Sequence, residues 1–487
     1  MAKIIIVGGG VAGLSAGIYA QLAGHSATVY EKHFIPGGNL TGWQRGEYHI
    51  DNCIHWLTGT NPASSSLYNM WVELGALGEN VDIIQGDTLI TCEREGESIS
   101  LPCSLERLKD EMLRVSPEDK TEIMRFISAV DFIMALENVA GEKNNEGITL
   151  GRMLRGVGPI ITYYGLTTGQ LAKRFKNSLL QCFITGFWGE SFGAFALLYV
   201  YATFCGKNGG LPRGGSLKMA DRMAERFKSL GGELYLGYEV VKVNHSGGVA
   251  KSVKFSNGEE ASADYIILTT DTAVTYGRLL NMPMPKKLKK QYDNPKLRVF
   301  SAYHCAFACD EEDLPFEGDL IFDVPEKYEK ILKTKQLIIR EFSHEPNYAP
   351  KGKNILQSMT FCFEDDCRDF IELRKNDREA YKAKKEMLSS IIMRLIEEHC
   401  PTLRGKLTLI DVWTPASYNR FVGSEHGSFM SFAIPEKYAP IPLSLEVEGI
   451  NNLLLATQWL QSPGGLPIAA CMGKEAVNLI NKAEKRK

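Results

Sequence analysis

The first thirty residues change hydrophobic period twice. Ile4, Ile5, Ile6 and Val7 form an unbroken β-branched run, the pattern of a parallel strand buried on both faces. Beyond Gly13 the apolar positions move to helical spacing, at Leu14, Ile18 and Leu22, and Gly24 closes the predicted helix. Ala27, Val29 and Tyr30 then predict a second strand that ends at Glu31. Residues 81–84, 89–93 and 98–101 read as strands, the last two joined by a hairpin at 94–97. Ser116 and Pro117 mark a helix start, serine as cap and proline at the first position, and helices dominate from there to Phe204 around a solvated loop at 141–147. A helix follows with Leu217, Ala220, Met223, Ala224 and Phe227 on one face, then strands at 233–236, 239–243, 249–255 and 263–268. The pattern further predicts a strand at 298–308 and a long helix over 377–399. Met387, Leu388, Ile391, Ile392 and Leu395 make the stripe of that helix, and Pro401 stops it. A strand at 452–457 and a helix continuing through Gly473 and Ala476 close the chain.

Strand-rich blocks recur at the beginning, middle and end, so the fold class is α/β. A Rossmann-like, doubly wound parallel domain is expected from residues 1–75, 205–280 and 443–487. An interleaved α+β substrate domain on a mixed sheet is expected from 76–204, mostly helical, and 281–442. The 487 residues, 44% hydrophobic and 23% charged, are ordinary for a globular protein, and a net charge of -3 without a basic stripe excludes a nucleic-acid partner. Eleven cysteines are scattered without a C-x-x-C pair, which reads as reduced thiols and no metal. The most apolar stretch, residues 191–204, is too short to span a bilayer. It reads as a buried helix, a pocket wall or a contact with a membrane surface. The glycine-rich motif begins close to Met1, so we expect no secretory leader and a cytoplasmic protein, at the membrane surface if that stretch touches lipid.

The chemistry starts at Gly8, Gly10 and Gly13, which satisfy G-x-G-x-x-G where the first strand turns into the helix. The first glycine permits the tight turn, the second lets a pyrophosphate approach the backbone, and the third lets helix and strand pack closely. Val11 and Ala12 then form the helix start at the phosphates. Glu31, 18 residues after Gly13, can accept both ribose hydroxyls and would repel a 2′-phosphate. Strand, glycines, helix, strand and acid in this order predict a dinucleotide site.

Further features extend that site. Gly37 and Gly38 form a doublet followed by Asn39; residues 46–51 form a short strand ending in Asp51; 51–59 run through Cys53, His55 and Trp56 to Gly59. Pro212, Gly214, Gly215 and Ser216, then Val240 and Val243, Asn257-Gly258, the Thr414–Phe421 segment and Pro463-Gly464-Gly465-Leu466-Pro467-Ile468 follow in order. Together these resemble the carotenoid (phytoene) desaturase, carotenoid isomerase and retinol saturase group of the FAD amine oxidase superfamily. In that family arginine stands in place of Asn39, glycine in place of Cys53, and Gly-Asp in place of Thr457-Gln458. The resemblance implies non-covalent FAD, with Val240 at the adenine, Lys32 and Asn39 near the pyrophosphate, and Gly465, Leu466, Pro467 and Ile468 at the flavin edge. His55 and Trp56 would run beside the ring. It also implies a long apolar, often polyene, small-molecule substrate, without a direction: members desaturate, saturate or isomerise double bonds. NAD(P)H as electron donor stays open. His55 is the candidate catalytic residue, a proton relay titrating near neutrality, and a structural histidine is its alternative. An amine oxidase and a non-enzymatic lipid or prenyl carrier are the other readings of the same fold.

Overall fold

The computed structural model describes residues 1–62, 66–140 and 150–486, so the predicted loop at 141–147 lies outside the described residues. Five parallel strands form the cofactor-side sheet. Their order is Glu233–Leu236, Ser26–Glu31, Lys3–Val7, Tyr265–Leu268 and Leu453–Leu455. Its side chains alternate between two layers, as the strand period requires. Ile4, Ile6, Val29 and Ile267 pack against the helices Val11–Leu22, Gly215–Ser229 and Leu466–Glu484. Ile5, Val7, Ile266 and Leu268 pack against a three-stranded antiparallel sheet, Val240–Ser246, Val249–Phe255 and Glu260–Ala261. Both faces are therefore covered, and the unbroken apolar run at 4–7 has no solvent side.

Two glycines set the distances between these layers. A Cβ on Gly13 would lie 1.8 Å from the Gly8 carbonyl oxygen, so only glycine lets the first helix turn fold back on the strand. A Cβ on Gly473 would lie 2.4 Å from the Ala12 oxygen, where the last helix crosses the first. Ser15 Oγ donates to the Ala470 carbonyl at 2.7 Å in the same buried contact.

The second sheet has seven strands, ordered Thr408–Trp413, Phe300–Asp310, Lys353–Phe363, Gln336–Glu341, Asp319–Asp323, Thr88–Arg94 and Glu97–Pro102. Every pair is antiparallel except Asp319–Asp323 with Thr88–Arg94, which makes the sheet mixed. Ile90, Cys92, Ile321 and Ile338 face a helical layer drawn from residues 105–205. Phe307, Phe322, Ile339 and Leu356 face the Arg378–His399 helix on the other side.

Two local expectations are corrected, and the reading of residues 191–204 as a buried helix and pocket wall is borne out. Ser116 does not cap a helix with an accepting hydroxyl. Its Oγ donates to Asp119 at 2.8 Å, and the Asp119 carboxylate takes the Lys176 and Asn177 amides. Met387 is 46% exposed, and Tyr381, Leu388, Ile392, Leu395 and Ile396 form the buried stripe instead. The apolar stretch at 191–204 becomes the Ala194–Cys205 helix. Leu197, Leu198, Tyr201 and Phe204 sit in the core, while Phe195, Ala196, Tyr199 and Val200 form a stripe on a cavity wall.

Candidate functional site

The carboxyl ends of the central parallel strands open onto one cavity of about 640 Å³. Every residue singled out above for the cofactor lines it, from Gly8 and Gly10 through Glu31, Lys32, Gly37, Gly38 and Asn39 to Leu466, Pro467 and Ile468, save Gly13. Gly13 is a packing residue, one step removed. Val11, Ala12, His55, Trp56, Val240, Thr457, Gln458 and Gly465 are all on the wall. Residues 400 apart in sequence therefore meet around one space.

At one end the Val11–Leu22 helix starts from Gly10 with no side chain capping its amides. Those free N–H groups and the helix dipole favour an anion. A Cβ on Gly10 would come no nearer to protein than 3.7 Å, so the space beside it belongs to the cavity. Gly37 closes the turn opposite: its amide donates to the Gly9 carbonyl at 2.8 Å, and its φ of +112° excludes ordinary side chains. Glu31 is buried, and its carboxylate accepts the Gly9 amide at 2.6 Å and the His33 amide at 2.8 Å. Gly9, which the motif leaves unassigned, is thereby fixed: a Cβ there would lie 2.9 Å from the Glu31 Cβ. Lys32 and Arg278 supply positive charge on this wall. Burial holds the Lys32 ammonium below its ordinary pKa, and it donates to the Arg420 carbonyl at 3.1 Å.

Asn39 and Gln458 converge on a single acceptor. Asn39 Nδ2 donates to the Phe429 carbonyl at 3.0 Å and Gln458 Nε2 donates to it at 3.2 Å. Gln458 Oε1 in turn accepts the Gly465 amide at 2.7 Å, which fixes the loop before the Leu466–Glu484 helix. The Asn39 Oδ1 is buried without a partner among the described residues, on a wall that faces the cavity.

The segment carrying His55 is held from both sheets. Asp51 is buried, and its carboxylate accepts from the Ser216 amide at 2.7 Å, the Tyr348 hydroxyl at 2.9 Å and the Cys53 amide at 3.1 Å. Cys53 keeps a negative φ, so the path that is glycine in the resembling family accommodates a side chain here. From the other side Arg340 Nη1 donates to the Ile54 carbonyl at 3.2 Å, while its fork engages Asp319, with Nη2 to Oδ2 at 2.6 Å. Burial, Arg340 and His304 together push His55 well below the ordinary imidazole pKa. The near-neutral titration expected from its sequence is thus displaced to acid pH. Among the described residues neither His55 ring nitrogen has a hydrogen-bond partner.

Beyond His55 the cavity becomes aromatic and aliphatic, walled by Trp56, Phe187, Trp188, Phe195, Met359 and Phe361. His304 lies flat on Trp413, rings 4.6 Å apart, and its Nε2 meets the Tyr418 hydroxyl at 3.1 Å. Burial lowers His304 to about 3. Sequence reasoning missed His304, Asp319, Arg340, Asp271 and Phe429. Asp271 alone left a signal, as an acid closely following an apolar strand, where its carboxylate accepts the Ala273 amide at 2.8 Å and the Glu425 amide at 3.0 Å.

Comparison with known proteins points the same way. The chain matches the family model for flavin containing amine oxidoreductase over residues 11–481. It is 22% identical over 516 residues to a 4,4′-diaponeurosporene oxygenase of Staphylococcus haemolyticus, covering 99% of this chain and 97% of that one. It is 23% identical over 448 residues to a chloroplastic prolycopene isomerase of Daucus carota, covering 87% and 71%. The fold superposes on an oxidoreductase from Methanosarcina mazei with a TM-score of 0.61 at 16% identity, covering 98% of this chain and 100% of that one. An uncapped glycine-rich helix start, a buried acid closing the second strand and a matching model over nearly the whole length give one answer. This chain belongs to the flavin containing amine oxidoreductase family, and is a flavin-dependent oxidoreductase of the group that holds the carotenoid desaturases and isomerases.

Proposed function

We propose that the chain binds FAD non-covalently and acts on carbon–carbon double bonds of a long apolar polyene. The observation that carries this reading is the single cavity, polar and anion-favouring at the parallel sheet and aromatic between the inserted segments. The residues fit the cofactor. Each Glu31 oxygen holds one amide and keeps another acceptor position for a ribose hydroxyl. The free amides of Val11 and Ala12, the open side of Gly10 and the unpartnered Asn39 Oδ1 border the place for a pyrophosphate and its ribityl chain. Val240 borders the adenine end, and Leu466, Pro467 and Ile468 form the helix start that would face the ring. Bound there, the flavin supplies hydride and electron transfer, which no side chain of this protein can supply.

The protein's own part is to orient, to exclude water and to handle a proton. Trp56, Phe187 and Trp188 present flat apolar surface to a conjugated chain. Neutral His55 stands at the junction of the polar and aromatic parts, where it would accept or relay a proton when a double bond is moved or reduced.

A small-amine substrate fits less well. The carboxylates on the cavity wall are Glu31, Glu239, Asp271 and Asp319, and only Asp319 comes from the inserted segments. Arg340 already occupies it with a two-point contact, so no unpaired acid awaits an ammonium group there. The test is anaerobic mixing of the purified yellow protein with polyenes and with small diamines, followed by flavin absorbance and mass spectrometry of the lipid. Polyene conversion is expected. Rapid bleaching by amines with no change in any polyene would replace this reading with an amine oxidase.

A further inference from the structure

The helix Leu150–Tyr164 turns its apolar residues the wrong way for a surface helix. Leu154 is 73% exposed and Ile161 69%, and Met153, Val157 and Tyr164 are also exposed. Leu136, on the helix it packs against, is exposed as well. A helix that merely covers a core shows charges to water and apolar residues inward. Here inward contact is made by Gly156, Ile160 and Tyr163, while the larger number of apolar side chains points outward. A Cβ on Gly156 would lie 2.3 Å from the Phe132 Cβ, so the two helices touch backbone to side chain. Tyr163 is fully buried and donates to Glu122 at 2.9 Å, beside Arg174. The helix is therefore held in place, and its outward apolar face is a fixed feature of the surface.

That face continues into the rim of the aromatic part of the cavity. The helix packs on Ala194–Cys205, whose Tyr199 is both exposed and on the cavity wall. At its carboxyl end, Tyr164 donates to the Tyr438 carbonyl at 2.6 Å and accepts the Lys437 amide at 2.8 Å. The loop so attached runs from Ile434, on the cavity wall, to Ile441, exposed to solvent. The charge is one-sided as well. In a chain of net charge -3 this helix carries no acid, its Arg155 is exposed, and so is Lys437 at its end.

We propose that this face docks on an anionic lipid bilayer and sets the rim of the aromatic cavity against the acyl region. The inference rests on the reading of the substrate as a long apolar molecule, which such a surface would hand over without crossing water. Fifteen residues cannot span a bilayer, and no described helix is long and apolar enough to do so, so the contact lies in the interface plane. A second copy of this chain is a poorer occupant. A two-fold contact through this face would bury Arg155 of both copies with no acid on either helix to pair it.

The experiment uses the full-length holoprotein, without substrate. Co-sedimentation is measured with vesicles of phosphatidylcholine alone and of phosphatidylcholine with phosphatidylglycerol, beside light scattering on a sizing column. Binding is expected to the anionic vesicles, weakened by salt. The double variant Leu154→Ser/Ile161→Ser should bind at least roughly tenfold less, with unchanged melting and flavin content, because both side chains face solvent. Equal binding by the variant, binding to neither vesicle, or a dimer that the variant dissolves would each overturn the proposal. Loss of polyene turnover with vesicle binding intact would instead remove the functional reading and leave the docking face standing.

Discussion

Gly10→Val separates a glycine kept for a ligand from one kept for the fold. Gly10 precedes the first helix in an extended conformation, φ -73° and ψ -177°, which valine adopts readily. A Cβ there meets nothing nearer than the Gly37 oxygen at 3.7 Å, ordinary contact. Losing glycine at a helix cap costs a few tenths to about 1 kcal/mol, and the stiffer unfolded chain returns about 0.4–1 kcal/mol, so stability should change by less than about 1 kcal/mol. The added methyl groups occupy the space before the free amides of Val11 and Ala12. Removing two charge-assisted hydrogen bonds to a pyrophosphate, at about 1.5–3 kcal/mol each, weakens FAD by roughly 10²–10⁴-fold. Gly13→Ala is the contrast, because its Cβ would press into the Gly8 oxygen at 1.8 Å and force the first helical turn off the strand. Circular dichroism with heating, and titration of each apoprotein with FAD followed by flavin fluorescence, distinguish the two. The expected result is a folded, colourless Gly10→Val and a Gly13→Ala that melts far below wild type. Full yellow occupancy in Gly10→Val would refute the placement of the pyrophosphate.

Asn39→Arg should lose the bond to the Phe429 carbonyl, worth about 0.5–1.5 kcal/mol, yet gain a charge-assisted contact with the pyrophosphate. A lower melting temperature with tighter FAD in apoprotein titration is expected, and weaker FAD would contradict it. His304, held at about 3 in the fold, gains its proton first in the unfolded chain as pH falls below about 6.5. Folded stability is thus lost on acidification, by about 2 kcal/mol from pH 7 to pH 5, and urea midpoints should show that loss shrinking in His304→Gln. His55→Ala should keep its colour and lose turnover by roughly 10²–10⁴-fold, with any pH–rate limb that disappears lying on the acid side of neutrality.

The parts of this fold that were legible are those whose pattern is local. The run at 4–7, the glycine turn and the acid at 31 lie within one supersecondary unit, so spacing alone orders them. The tail motif reads as a helix start for the same reason. What sequence hides is pairing across long separations. Phe429 contributes only a backbone carbonyl, yet amides from Asn39 and Gln458 meet on it, and no side-chain pattern announces a carbonyl. Asp319 and Arg340 are register partners on adjacent strands, a fact carried by the sheet and not by either neighbourhood. The error at Met387 is one of angle. At 100° per residue it lies roughly 130° around the helix from the centre of the buried stripe, though its neighbour Leu388 lies within it.

The walls around His55 share one electrostatic property. His55 and His304 are both held neutral by burial, Cys53 is pushed up to about 12 and Tyr418 is pushed up from its ordinary value. Asp319, the acid that this junction shows to the cavity, is matched by Arg340. Asp51 lies behind the wall, with its carboxylate held by the Ser216 amide and the Tyr348 hydroxyl. At neutral pH the junction between the polar and aromatic parts of the cavity therefore presents hydrogen-bonding groups without an uncompensated charge. Such a surface costs a hydrocarbon little to enter, whereas a cation would give up its water for no counter-charge. The same burial explains why a histidine can stand beside an apolar chamber at all: a neutral imidazole is far cheaper to desolvate than an imidazolium. Arg340 tightens this arrangement from a second direction. It neutralises Asp319, fixes the Ile54 carbonyl, and raises the cost of protonating His55 in one position. The seven-stranded sheet thus sets both where His55 stands and which protonation state it keeps, so the two sheets determine the site together.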